Sequence, residues 1–156
     1  MTPLEIVKTL GQYPTATIYE AAGKLGDMEP GIRPIIPNVQ LSGIAYTVKT
    51  FPSDTTAVIR ALDDAPAGSV LVIDAGGTER SAVWGGTSSL VCSIRGLIGC
   101  VTNGCVRDTE DLIKVGIPFL TKTRLDVPVS KILLLETNAI SNSVGSSLLS
   151  FEIIFL

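Results

Sequence analysis

The sequence predicts an α/β domain built on a parallel sheet. Between Val70 and Leu120, apolar runs alternate with helical patterns in the order strand, helix, strand, helix, strand, which is the signature of βαβ units. Within that region Val70-Leu71-Val72-Ile73 is continuously apolar instead of alternating, as a strand covered on both faces would be. At 156 residues the chain has the length of one domain, enough to bury a core without disulfide or metal staples.

Each element follows from its own signals. Thr2 to Leu10 reads as a short helix, and Pro14-Thr15 opens a second over Ala16 to Leu25, closed by Gly26. Asp27 to Asn38 contains Pro30, Gly31, Pro34 and Pro37, so an ordered irregular wrap is expected there. Leu41, Ile44, Tyr46 and Val48 nearly alternate within Gln40 to Thr50, a strand with one face buried. Asp54 is the expected cap for a helix over Thr55 to Ala65, which Pro66-Ala67-Gly68 ends. The strand Val70 to Ile73 leaves through Asp74-Ala75-Gly76-Gly77-Thr78. Ser81 to Gly86 leads into a helix over Thr87 to Arg95, followed by Gly96 and a strand from Leu97 to Val101. Asn103 to Asp108 reads as the turn into a helix from Thr109 to Val115, stopped by Gly116, and Ile117 to Leu120 is a further strand. Beyond Thr123 the texture changes. Lys131 to Glu136 and Leu148 to Leu156 have the composition of strands, and the apolar ending is expected to pair with another strand or another subunit.

Composition narrows the chemistry. A net charge of -3, an aromatic fraction of 5% and no long Lys/Arg cluster argue against a nucleic-acid surface. The hydrophobic fraction of 46% against 17% charged residues points to surface buried in an oligomer. No apolar run has the length of a membrane span, and Met1 to Leu10 carries Glu5 and Lys8 where a secretory signal would be apolar, so a soluble cytoplasmic protein is expected. Histidine is absent, which leaves acid-base and metal chemistry to carboxylates, Lys, Tyr, Cys or water. Cys92, Cys100 and Cys105 lack C-x-x-C spacing and read as reduced, buried thiols.

Two stretches carry candidate site chemistry. In Asn103-Gly104-Cys105-Val106-Arg107-Asp108, Arg107 can grip an anion bidentately, while Asp108 can hold a hard divalent cation or only cap the following helix. In Trp84-Gly85-Gly86-Thr87-Ser88-Ser89, the glycines permit close backbone approach and the helix opens with unpaired amides, suited to a carboxylate or phosphate. Thr87, Ser88 and Ser89 would add hydroxyls, or the stretch is an ordinary Gly turn with a Ser/Thr cap. Twenty residues separate Gly86 from Arg107, enough for one helix and one strand, which brings both turns to one edge of the sheet.

These segments together resemble the RraA-like family, which includes class II 4-hydroxy-4-methyl-2-oxoglutarate aldolases and the regulator of ribonuclease activity. The resemblance rests on Gly-x(20)-Arg-Asp between Gly86 and Asp108, on Val72 to Gly77, on Pro14 to Ala21, on Gly31 to Pro34 and on Leu41 to Val48, and it covers roughly residues 10 to 121. It implies a swivelling β/β/α fold, with an RraA-like domain over 1–123 and a divergent extension over 124–156 that packs on the domain or on a neighbouring subunit. It further implies a homotrimer or hexamer with sites at subunit boundaries, and Mg²⁺ or Mn²⁺ held by Asp108 and waters. Arg107 would act on a small 2-oxo acid whose carboxylate lies on the backbone of Gly85, Gly86, Thr87 and Ser88. The chain departs from the family at Gly86, where many of the aldolases have an acidic residue, and after Leu125, where the Pro-Gly-Asp turn and Asp-x-Asp-Gly stretch are missing.

The resemblance implies a lyase. Retro-aldol cleavage and oxaloacetate decarboxylation both leave a pyruvate enolate, which a divalent cation and Arg107 would stabilise, with a metal-bound water as the expected base. No lysine of this constellation suits a Schiff base, since Lys114 falls a helical turn or more beyond Asp108. The alternative is a non-catalytic regulator that binds a ribonuclease. A methyltransferase is disfavoured, because Gly76-Gly77 and Gly85-Gly86 do not form Gly-x-Gly-x-x-Gly.

Overall fold

The computed structural model describes residues 1–28, 30–124 and 153–155. Among the described residues the chain runs α1 (Pro3–Leu10), α2 (Thr15–Ala21), β1 (Arg33–Pro34), β2 (Ser42–Lys49), α3 (Thr56–Asp64), β3 (Ser69–Asp74), β4 (Ala82–Trp84), α4 (Gly86–Ile94), β5 (Gly99–Val106), α5 (Thr109–Val115), β6 (Phe119–Arg124) and β7 (Ile153–Phe155). The strands form one sheet in the order β1-β6-β5-β3-β2-β7, with β4 also paired to β5. β2, β3, β5 and β6 are parallel, and β1 and β7 add antiparallel edges.

The parallel core explains the apolar run of β3. Leu71 and Ile73 face a layer that includes Val58, Ala61 and Leu62 of α3, Cys92 of α4 and Leu112 of α5. On the opposite face Val70 packs with Leu41, Val101 and Leu120, and Met28, Ile32, Ala45 and Val72 close over that cluster. Successive strand residues therefore meet different layers, and both layers are apolar.

Local signals set most boundaries. Thr2 and Glu5 form a reciprocal capping box at α1, with Thr2 N donating to Glu5 Oε2 at 2.7 Å and Glu5 N to Thr2 Oγ1 at 3.3 Å. Asp54, the expected cap of α3, sits one residue before its N-cap Thr55, and its Oδ1 accepts from Thr56 N at 2.8 Å. α5 covers the predicted span and stops at Gly116, whose φ is 79°.

Other boundaries differ from the sequence expectation for identifiable reasons. α2 ends at Ala21, short of the expected Leu25, because Gly23 (φ 73°) and Lys24 (φ 62°) turn left-handed and Lys24 N donates back to Tyr19 O. β5 runs on through Val106, so Asn103, Gly104 and Cys105 lie in a strand where a turn was expected. β4 was not predicted at all. β6 starts later than expected and continues to Arg124, and the irregular wrap contains the two-residue β1, whose Pro34 sits at the sheet edge. From the tail, β7 pairs antiparallel with β2, Ser42 opposite Phe155 and Ile44 opposite Ile153. The expected strand at Lys131 to Glu136 lies outside the described residues. Among those described, no helix is long and apolar enough to cross a membrane.

All three cysteines are buried and free. Burial pushes the Cys92 thiol up to about 12, and burial with the nearby Cys92 pushes Cys100 upward too. A thiol raised above its ordinary value of 9.0 keeps its proton in the folded chain where the unfolded chain has lost it. Its stabilisation is complete below that ordinary value, falls by about 1.4 kcal/mol per pH unit above it, and is gone once pH passes the folded value. Denaturant titrations between roughly pH 8 and pH 11 should therefore show stability falling with pH, and falling less steeply in Cys92→Ala.

Candidate functional site

β4 and the far end of β5 run side by side. Ala82 pairs with Cys105, Trp84 with Val106, and Arg107 N donates to Trp84 O at 3.1 Å. The residues that follow each strand are thereby neighbours: Gly85 and Gly86 stand against Arg107 and Asp108. Asp108 Oδ2 accepts from Gly86 N at 3.3 Å and lies 3.6 Å from Arg107 Nε. The two turns predicted from the spacing thus meet at one sheet edge.

Asp108 has left-handed backbone (φ 56°, ψ 42°), a conformation that aspartate tolerates better than most residues. Its carbonyl accepts from Asp111 N at 2.9 Å and Leu112 N at 3.2 Å, opening α5. Its carboxylate does not cap that helix. It reaches instead across to the start of α4, so it bears on the positive end of a neighbouring helix. Arg107 and Asp108 keep 46% and 47% of their side-chain surface, so both remain open to a ligand and their mutual attraction is weakened by water.

Space is the reason for the two glycines. Gly85 is fully extended, a backbone any residue adopts, but a Cβ there would sit 2.8 Å from Asp108 Oδ2 and 3.2 Å from Arg107 Cγ. At Gly86 a Cβ would sit 2.9 Å from Asp111 Cβ and 3.2 Å from Asp111 Oδ2. A carboxylate therefore does stand beside Gly86, and it comes from α5. The sequence reading missed Asp111, which lies in the first turn of α5, three residues after Asp108. Lys114 Nζ donates to Asp111 Oδ1 at 3.0 Å, and this contact raises the pKa of the lysine.

The hydroxyls expected at α4 separate into two groups. Ser89 is buried and accepts from Trp84 Nε1 at 2.7 Å, so it orders the buried indole and is withdrawn from any ligand. The Trp84 ring also packs on Phe119, with centroids 5.3 Å apart. Thr87 is exposed and Ser88 half-buried, and their amides, in the first turn of α4, have no partner within the helix. Asn103 is engaged elsewhere: its Oδ1 accepts from Ala75 N at 2.7 Å and its Nδ2 donates to Asp74 Oδ1 at 2.8 Å, which ties the exit of β3 to β5. Cys105 Sγ donates to Thr78 O at 3.3 Å and serves packing.

The donor set suits one class of cation. Among the described residues no three Asp, Glu, Cys or His side chains gather as metal ligands, which disfavours an all-protein cage. Asp108 and Asp111, flanking Gly85 and Gly86, fit Mg²⁺ or Mn²⁺, because small hard cations take one or two carboxylates and keep several waters. Gly85→Ala should leave the fold intact, since the backbone conformation is allowed, while pushing Asp108 and Arg107 apart. Thermal unfolding near the wild-type midpoint together with a clear loss of Mn²⁺ affinity would be the expected pair of results.

Comparison with known proteins agrees with this architecture. Residues 15–132 match the family described as RraA-like, Aldolase/RraA. Over 100 residues the chain is 41% identical to a Burkholderia mallei (strain SAVP1) protein named "Putative 4-hydroxy-4-methyl-2-oxoglutarate aldolase", a match covering 64% of this chain and 60% of that relative. The chain thus spans about three fifths of that relative's length. Among solved structures, the RNA-processing inhibitor RraA from Thermus thermophilis superposes with a TM-score of 0.66 at 26% identity, covering 73% of this chain and 69% of that one. Streptomyces coelicolor RraAS2, described as an unusual member of the RNase ES inhibitor RraA protein family, gives 0.71 at 23% identity over 82% and 68% of the two chains, a likeness of fold. The sheet, its order of helices and the matched span together place this chain in the RraA-like family.

Proposed function

We propose that the protein is a divalent-metal-dependent lyase that breaks a C–C bond of a 2-oxo acid and leaves a pyruvate enolate. Substrates of this chemistry are 4-hydroxy-4-methyl-2-oxoglutarate-type acids, cleaved by retro-aldol reaction, and oxaloacetate, cleaved by decarboxylation. The observation that carries the reading is the half-exposed Arg107–Asp108 pair set against the amino end of α4. The name of the Burkholderia relative supports it.

Each residue then has a separate task. Asp108, with Asp111 beside it, would hold Mg²⁺ or Mn²⁺, which when bound supplies Lewis-acid polarisation of the 2-oxo oxygen. Arg107 offers a planar fork of donors to the substrate and carries positive charge where the enolate oxygen gains negative charge. The amides of Thr87 and Ser88 bind the substrate carboxylate at the positive end of α4. Gly85 and Gly86 keep that approach clear of side chains. Lys114 is held by Asp111 and offers no amine for a Schiff base. With no histidine in the chain, we assign to water in the open site both acceptance of the substrate's hydroxyl proton in the retro-aldol reaction and return of a proton to the enolate, which gives pyruvate.

The same reading extends to assembly and location. Ile59, Leu90, Ile94 and Ile113 are exposed on α3, α4 and α5, apolar surface suited to a homotrimer or hexamer. Three unpaired cysteines suit a reducing cytoplasm. A second reading, a non-catalytic regulator that binds a ribonuclease, is favoured by the likeness to the Thermus RNA-processing inhibitor.

Pyruvate release from oxaloacetate and from 4-hydroxy-4-methyl-2-oxoglutarate separates the two. The lyase reading expects turnover that needs Mg²⁺ or Mn²⁺, stops with EDTA, and drops about 10²- to 10³-fold in Arg107→Ala. Asp108→Asn should abolish the metal-dependent turnover. Absence of metal-dependent turnover, with tight binding to a ribonuclease, would establish the regulator instead.

A further inference from the structure

Between Thr102 and Cys105, β5 carries one residue more than its neighbour. Thr102 pairs with Thr121 of β6 and Cys105 with Thr123, so three steps along β5 match two along β6. An extra residue reverses the face to which every later side chain points. The side on which Arg107 and Asp108 leave the strand is therefore decided by this β-bulge.

A bulge removes backbone groups from the ladder, and buried ones need other partners. Here side-chain hydroxyls supply both. Gly104 N donates to Thr102 Oγ1 at 3.0 Å, and Gly104 O accepts from Thr121 Oγ1 at 2.8 Å. The hydroxyls are oriented in turn: Thr102 Oγ1 donates to Ile73 O at 3.0 Å, and Thr121 Oγ1 shares its proton with Thr123 O at 3.1 Å. The two threonines are 1% and 3% exposed, so water cannot take over from them. Gly104 itself is hemmed in, since a Cβ would sit 2.7 Å from Ala75 Cβ and 3.1 Å from Val83 Cγ2.

We propose that Thr102 and Thr121 are positioning residues for the Arg107–Asp108 pair, their hydroxyls holding the Gly104 bulge in the geometry that sets the end of β5 against β4. What this is worth to turnover rests on the lyase reading; the geometric part does not. Valine matches the shape of threonine and lacks the hydroxyl, whereas serine keeps it.

In the purified full chain, Thr121→Val and Thr102→Val should shift the backbone amide resonances of Arg107 and Asp108 in ¹H–¹⁵N spectra, and Thr121→Ser should return them towards wild type. With oxaloacetate and Mg²⁺, kcat/KM should fall about 10- to 100-fold in the valine variants and stay within about twofold in Thr121→Ser. Val7→Ala, a core truncation in α1, serves as the control that lowers stability without moving those two resonances. Unchanged Arg107 and Asp108 resonances in the valine variants, or equal shifts in Val7→Ala, would overturn the proposal. Failure of both valine variants to fold would overturn it too, by assigning the hydroxyls to the whole domain. A wild-type chain without turnover would sink the lyase reading alone, and the resonances would still decide the positioning.

Discussion

Everything at the candidate site depends on the pairing of β4 with the far half of β5. β3 ends at Asp74, and β5 continues beyond it to Val106. The vacated edge is taken by β4, three residues long and held through Ala82, Trp84 and the Arg107 amide. Because β4 opens directly into α4, that short pairing delivers two helix starts to the same place. One supplies amides, the other a carboxylate and a guanidinium. Parallel sheets collect ligands at the carboxyl ends of their strands for this reason.

The glycines at 85 and 86 are consequences of the same closeness. Neither has a left-handed backbone, so conformational freedom does not explain them. What explains them is contact: the Arg107–Asp108 pair and Asp111 occupy the volume that side chains at 85 and 86 would fill. A side chain at 86 would require Asp111 to move from its present place. Trp84 reinforces the arrangement from below, its indole held between Ser89 and Phe119.

Much of this was legible from residue patterns, and the remainder was hidden for physical reasons. The uninterrupted apolar run of β3 announced a two-sided strand, Gly116 announced the end of α5, and the spacing between Gly86 and Arg107 announced that two turns share an edge. β4 escaped because three residues are too few for any periodicity, and glycines follow it directly. The far half of β5 escaped because Thr-Asn-Gly reads as turn chemistry, and only tertiary partners, Thr121 and Asp74 among them, keep it extended. Asp111 escaped because its importance comes from an absent side chain at 86. Ser89 was misjudged as ligand-facing because the sequence could not show that Trp84 would claim its oxygen.

The central claim is that Arg107, Asp108 and the start of α4 form one site for a divalent cation and a 2-oxo acid. A crystal grown with Mn²⁺ and oxalate tests it most directly, since manganese is located by its anomalous scattering and oxalate mimics the planar enolate. The account predicts manganese against the Asp108 carboxylate and oxalate reaching both Arg107 and the amides of Thr87 and Ser88. Manganese bound elsewhere, or oxalate that avoids Arg107, would contradict it.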